Sequence, residues 1–247
     1  MKNNYVNTFP FLNLYKKRQL NSKIDTQLLY GDNYKIIKSY KGWKKVRIKK
    51  DGYSGYIKNI KLHSYKKPNF KVTKLRANLF KKPNQNSRLN KALPFESRIK
   101  IEKKIKGFGK FGKYYVNFTD VKKVNFKNKD IFKNIKSFKN IRYLWGGKTF
   151  KGIDCSALVQ VFLNQNNRYC PRDSKDQEKF FKKKIKISNI KKNDLIFWKG
   201  HVAIALSKNK LIHAYGPRKK VVIMDIKRTI ERIKRTANLN VTSVRRI

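Results

Sequence analysis

Asp154-Cys155-Ser156 heads an apolar run in which Ala157, Leu158, Val161, Phe162 and Leu163 recur at helical spacing, with Ser156, Gln160 and Asn164 between them. Two histidine segments follow, His201-Val202-Ala203-Ile204 and Leu211-Ile212-His213-Ala214. A thiol attacks as its thiolate, and a helix N-terminus with an imidazole in reach keeps that anion populated near neutral pH. Gly152 and Asp154 suit the turn entering such a helix. Its dipole would favour negative sulfur by up to about 2 kcal/mol. An imidazolium partner adds to this, so the expected resting site is a thiolate and imidazolium pair.

The elements that must position these groups are legible around them. Asp194 to Trp198, the turn Lys199-Gly200 and the run His201 to Leu206 read as two short strands joined tightly, with His201 opening the second. Lys210 to Tyr215 reads as a third strand, from which His213 could meet the far ring nitrogen of His201 and fix its tautomer and orientation. Singly, a cysteine in an apolar helix is ordinarily a small buried hydrophobe, and a histidine before a strand an edge residue. Together, on these element types, they read as nucleophile and base. The three His and two Cys lack the paired spacing of a zinc site. Cys170 reads as a core or surface thiol, since a disulfide with Cys155 would silence the nucleophile.

Tyr143-Leu144-Trp145-Gly146-Gly147, Gly152 to Ser156, Pro171-Arg172-Asp173-Ser174, Gln177, Asp194 to Trp198, His201 to Ile204 and Ile212-His213-Ala214 occur in an order that resembles the NlpC family of bacterial murein endopeptidases. The resemblance spans roughly residues 127–247 and implies a reduced papain-like fold. It implies that Cys155 is the nucleophile, His201 the general base and then acid, and His213 the orienting third member, with Tyr143 helping to form the oxyanion environment. It further implies that Asp154 and Ser156 contact the free amine of the substrate's first alanine, with Trp145 in the substrate-binding set. Members with this layout cut between gamma-D-glutamate and a diamino acid in cell-wall peptides, without metal or cofactor. Two departures are Ala157, where Gly is commonest, and Asn193, where Gly usually precedes the Asp-Leu pair. Arg172 has two readings: a grip on a substrate carboxylate, or a structural ion pair with Asp173 or Asp176. Gln177 contacts substrate or supports packing.

The chain of 247 residues exceeds one domain at ~150 residues each. Residues 26–62 alternate in short β-type runs broken by glycine turns, which suggests a small barrel. A weaker copy follows: Leu75 to Pro83 parallels Phe11 to Ser22, Leu93 to Glu102 parallels Leu28 to Lys38, and Gly112 to Val116 parallels Gly52 to Ile57. Pro94 and the Gly107 to Gly112 stretch blur the strands of this copy. Both resemble bacterial SH3 domains, a pattern known in front of NlpC-type domains. The expected organisation is α+β: SH3-like barrels at 1–66 and 67–124, then a papain-like domain at 125–247 with its helix-borne cysteine packed on an antiparallel sheet. Asn125 to Phe138 has helical spacing and is expected as the first helix of that domain. Trp43, Tyr53 and Tyr56 either fill barrel cores or, by analogy, belong to a barrel that walls one end of the cleft.

Lys and Arg number 64 against 14 acidic residues, a formal charge of +50. The lysines are spread along the whole chain and accompany an excess of Asn, Ile, Phe and Tyr, as an AT-rich genome would produce. Most of the charge therefore reads as solvated surface rather than a specific nucleic-acid site, and it would draw in anionic peptides. Polynucleotide binding stays as an alternative, as do a catalytically idle wall-peptide binder and an acyltransferase with the same Cys and His. Polar residues interrupt the apolar ones from Met1 to Leu20, so no secretory core is recognisable, and no stretch reaches the ~18 apolar residues of a membrane span. The expected compartment is the cytoplasm, and the expected substrates are murein peptides taken up during wall turnover. The sequence leaves the oligomeric state open.

Overall fold

Alternating residues from Phe11 to Ile57 give an antiparallel sheet in the computed structural model, which describes residues 4–247. Its strands are β1 (Tyr5–Val6), β2 (Phe11–Tyr15), β3 (Ile24–Leu29), β4 (Asn33–Tyr40), β5 (Trp43–Ile48) and β6 (Ser54–Lys58), in the linear order β1-β4-β5-β6-β2-β3. The core of this SH3-like element is mainly aliphatic: Leu14, Leu28, Val46, Ile48 and Ile57, with Tyr34. Tyr53 packs against it, half-buried. Trp43 and Tyr56 are also half-buried and meet other aromatics at the surface, Trp43 edge-on to Tyr15 and Tyr56 beside Tyr40. They are not core-fillers.

The second copy repeats the plan with β7 (Phe70–Val72), β8 (Arg76–Phe80), β9 (Arg88–Pro94), β10 (Arg98–Ile99), β11 (Lys103–Ile105), β12 (Phe108–Phe111), β13 (Tyr114–Asn117) and β14 (Val121–Lys123). They form two sheets, β10-β7-β14 and β11-β12-β13-β8-β9. The residues that blur its pattern mark boundaries. Pro94 is the last residue of β9. Lys106 and Gly107 are the two central residues of the β11–β12 hairpin, both at positive φ, the conformation that matches strand twist in so short a turn.

The chain divides into two units, residues up to 127 with 148–150, and 128–147 with 151–247. Within the first, Lys50 ties the two copies together: its Nζ lies 2.7 Å from Asp32 Oδ1 and 2.7 Å from Glu96 Oε1. Both carboxylates are buried, so removing the cation leaves Asp32 without its ion-pair partner and Glu96 with Arg98 alone. Lys50→Met should lower unfolding free energy by about 3 kcal/mol, measured by urea denaturation. Burial pushes the Asp32 carboxyl up, but Lys50, Lys148 and the Leu29 N–H together outweigh it and hold the group below its ordinary 3.8. That stabilisation is present above 3.8 and lost as pH falls through the lowered value, so the variant should lose this acid limb.

The second unit begins irregularly. Residues 125–138 hold one 3-10 turn, Ile135–Phe138, in place of the expected helix. Asp130 Oδ1 accepts the Phe132 N–H, Asn128 N–H donates to Asn166, and Asn134 adopts φ +66. These local polar bonds compete with a helical ladder, while Phe132, Ile135 and Phe138 still reach the core.

Short strands β15 (Lys148–Thr149) and β16 (Gly152–Ile153) precede α1 (Cys155–Gln165). Helix α2 is Ser174–Phe180, and the remaining elements are β17 (Lys183–Ile185), β18 (Leu195–Trp198), β19 (His201–Ala205), β20 (Lys210–Tyr215), β21 (Lys220–Asp225), α3 (Ile226–Ala237) and β22 (Val241–Arg246). The sheet runs β17-β22-β18-β19-β20-β21, antiparallel throughout. Helix α3 covers one face through Ile226, Ile230 and Ile233, against Ile196, Ala203, Ala205 and Leu211. Val202, Ile204, Ile212 and Ala214 point to the other face and are buried too. Helix α1 packs on β19 and β20 and is buried on every side. Its polar residues are therefore internal, and Gln160 donates to the Cys170 carbonyl. Cys170 is a fully buried free thiol.

Candidate active site

Cys155 is the first residue of α1, and Asp154 is its N-cap, with Oδ1 accepting the Ala157 N–H at 2.8 Å. The sulfur receives the backbone N–H of Val202, the residue after His201, and that of Ser156. The β18–β19 hairpin sets that approach: Trp198 pairs with His201 across a two-residue turn whose Gly200 sits at φ +75. His201 Nε2 lies 2.8 Å from His213 Nδ1. His213 is fully buried, stacked on Tyr215 at 4.6 Å and 11°. The structure thus places the Cys155 sulfur against the strand of His201, and His201 against His213.

The electrostatics differ from the expectation. Burial, aided by the Asp154 carboxylate, pushes the Cys155 thiol up to about 12. Burial also takes His201 down to about 4, and burial with the neighbouring His201 holds His213 well below its usual value. The helix dipole contributes at most ~2 kcal/mol, and desolvation outweighs it. Both shifts favour the neutral thiol and the neutral imidazole over the thiolate and imidazolium pair. With His201 Nε2 committed to His213, Nδ1 is the ring nitrogen of His201 left for another partner. Iodoacetamide should therefore alkylate Cys155 slowly at pH 7 and faster with each rise toward pH 12, followed by peptide mapping. An ion pair would react at a constant rate down to about pH 4. In kcat/KM profiles, activity should fall only as pH drops through about 4, where His201 gains its proton and ceases to be a base.

Asp154, Ser156 and Arg172 occupy one another. The Arg172 guanidinium pairs with both Asp154 oxygens and donates to Ser156 Oγ at 2.9 Å. It thus forms a buried ion pair with Asp154. Asp154 also accepts from Gly146 N–H at 2.9 Å and from Ser156 Oγ at 3.2 Å. Five contacts already fill a carboxylate with about four acceptor sites. A substrate ammonium must displace one of them. The Gly146 bond fixes the loop that displays Trp145, which is 61% exposed. Burial, aided by the neighbouring Cys155 and Asp154, raises the Tyr143 hydroxyl above its ordinary range, so it stays a proton donor. Gln177 is buried and donates to the Ser156 and Pro171 carbonyls, which is a packing role. Asn193 adopts φ +74 where glycine is usual, steadied by its bond to Asp130, and the turn into β18 is kept.

Two residues escaped sequence reasoning. Tyr215 shares the strand face of His213, a two-residue spacing that could have flagged it. Met224 Sδ lies 3.5 Å from His213 Nε2. No spacing pointed to it, because the contact depends on the β20–β21 register.

Comparison with known proteins accords with this geometry. The NlpC/P60 family profile matches residues 140–237, and that of the bacterial dipeptidyl-peptidase SH3 domain matches 14–62. The gamma-D-glutamyl-L-lysine dipeptidyl-peptidase of Bacillus subtilis (strain 168) is 27% identical over 84% of this chain and 77% of its own length. Dipeptidyl-peptidase 6 of Lysinibacillus sphaericus is 42% identical over 29% of this chain and 27% of its own. An NlpC/P60 family crystal structure from Bacillus cereus shares the fold, with a TM-score of 0.81 at 19% identity over 98% of this chain and 99% of that one. The thiol at the start of α1 and the imidazole pair on adjacent strands thus lie within the segment, residues 140–237, that matches the NlpC/P60 family, and a segment matching a bacterial SH3 domain, residues 14–62, precedes it.

Proposed function

We propose that the protein hydrolyses the bond between gamma-D-glutamate and a diamino acid in peptides derived from peptidoglycan, through Cys155, His201 and His213, and that it serves murein peptide recycling in the cytoplasm. The observation that carries this reading is the joint placement of Cys155 at the head of α1, with the Val202 N–H on its sulfur, and of His201 Nε2 at 2.8 Å from His213 Nδ1. The name of the Bacillus subtilis relative supports the bond cleaved.

Sulfur attacks the isopeptide carbonyl while His201 takes its proton. The oxyanion receives the Cys155 N–H and the Tyr143 hydroxyl, each donor worth about 2.7 to 4 kcal/mol. His201 protonates the leaving amine, and water then resolves the thioester. The substrate's free ammonium is received by Asp154 in exchange for the Ser156 hydroxyl, the longest of its five contacts. Purified protein should release L-Ala-gamma-D-Glu from tripeptides ending in diaminopimelate or lysine, and N-acetylation of the alanine should lower kcat/KM at least about 100-fold. Peptide binding without release would favour an idle binding protein. Equal cleavage of blocked and free peptides would remove the amine site.

A further inference from the structure

The hydrogen-bond chain of the active site extends one residue past His213 and ends on a thioether. His201 Nε2 and His213 Nδ1 are 2.8 Å apart, so one of them carries the shared proton and the other accepts it. If His213 Nδ1 held the proton, His201 Nε2 would be the bare nitrogen, and in neutral imidazole its Nδ1 would be protonated toward Cys155. That arrangement offers the thiol no base. The working tautomer has the proton on His201 Nε2, a bare His213 Nδ1, and therefore a proton on His213 Nε2. The atom facing that last nitrogen decides between the two.

That atom is Met224 Sδ, at 3.5 Å. A thioether has no proton to give and can only accept. It is compatible with a protonated His213 Nε2 and sets lone pair against lone pair with a bare one. Met224 lies on β21, packed among the residues that join the α3-covered face of the sheet. Tyr215 stacks on the His213 ring at 4.6 Å and 11°, which holds the ring plane in line with both neighbours.

We propose that Met224 is a positioning residue that selects the catalytically competent tautomer of the His213 and His201 pair, and so presents a bare His201 Nδ1 to Cys155. The assignment rests on the proposed roles of Cys155 and His201 and adds a residue to them. Its consequence is specific to acceptor chemistry: apolar bulk at position 224 should not suffice, whereas a different acceptor should.

The test compares Met224→Leu with Met224→Gln. Leucine fills the same space without an acceptor, and glutamine supplies a carbonyl oxygen. The expected result is a fall in kcat of about fivefold in Met224→Leu at unchanged KM, and near-complete retention in Met224→Gln, with both variants folded by thermal melting. Equal activity of Met224→Leu and the unmutated protein would overturn the proposal, as would equal losses in both variants, which is what packing alone predicts. A second readout needs no turnover. In 15N-labelled Cys155→Ala protein, where the thiol no longer biases the pair, nitrogen NMR should show His213 protonated on Nε2 and bare on Nδ1, and Met224→Leu should mix the tautomers. A His213 protonated on Nδ1 in that protein would overturn the assignment. Absence of peptide hydrolysis by the unmutated protein would instead sink the proposed activity, with the tautomer still readable.

Discussion

His201→Ala should lower kcat for peptide hydrolysis by about 10⁴-fold or more, and adding Cys155→Ala to it should cost almost nothing further. The magnitude follows from the resting state of the sulfur. With burial pushing the thiol up to about 12, very little of the sulfur is ionised at pH 7. Without a base, attack has no other source of thiolate, because burial holds the neutral form and the helix dipole cannot reverse it. In the proposed mechanism His201 Nδ1 removes this penalty during attack. KM should change little, since the ring touches the reacting atoms more than the rest of the peptide. The non-additivity is the sharper sign: nucleophile and base act as one unit, so losing either removes the covalent route. Steady-state kinetics on the single and double variants measure it. A His201→Ala loss below tenfold would mean that the sulfur finds its base elsewhere.

Arg172→Met should destabilise the protein by about 3 to 5 kcal/mol and lower its melting temperature by roughly 10–20 °C. The Asp154 carboxylate is buried, with 8% of its side chain exposed and 2% of that of Arg172. Removing the guanidinium leaves a charge in the interior that the Gly146, Ser156 and Ala157 donors do not neutralise. The damage should spread in two directions from there, into the cap of α1 that positions Cys155 and into the loop that displays Trp145. Activity should therefore fall with stability. The double variant Asp154→Asn with Arg172→Met should recover part of the lost stability, because the stranded charge is gone. If Arg172 served only to grip substrate, melting would be unaffected and KM alone would rise.

What could be read from the residues was mostly local. The β18–β19 hairpin followed from a short Gly-containing turn between two apolar runs, and α1 from helical spacing behind a capping aspartate. Once those elements were right, one residue of strand register decided that His213 meets His201. Helix α3 was not among the expected elements, although Asp225 caps it and Ile226, Ile230 and Ile233 recur at helical spacing. Residues 125–138 misled because Phe132, Ile135 and Phe138 recur every three residues, a spacing that a chain of turns satisfies as well as a helix. Arg172 was read either as a grip on a substrate carboxylate or as an ion pair with Asp173 or Asp176; its pair with Asp154, 18 residues away, lies across a fold that spacing does not describe. The protonation states were illegible for the same reason: a helix N-terminus and an imidazole can be seen in a sequence, but the water excluded from around them cannot.

The most direct test incubates the protein and its Cys155→Ala variant, both verified as folded, with L-Ala-gamma-D-Glu-diaminopimelate at pH 7 and follows the products by mass spectrometry. The account predicts release of L-Ala-gamma-D-Glu and free diaminopimelate by the unmutated protein and none above background by the variant. Intact tripeptide in both, or equal release by both, would contradict it.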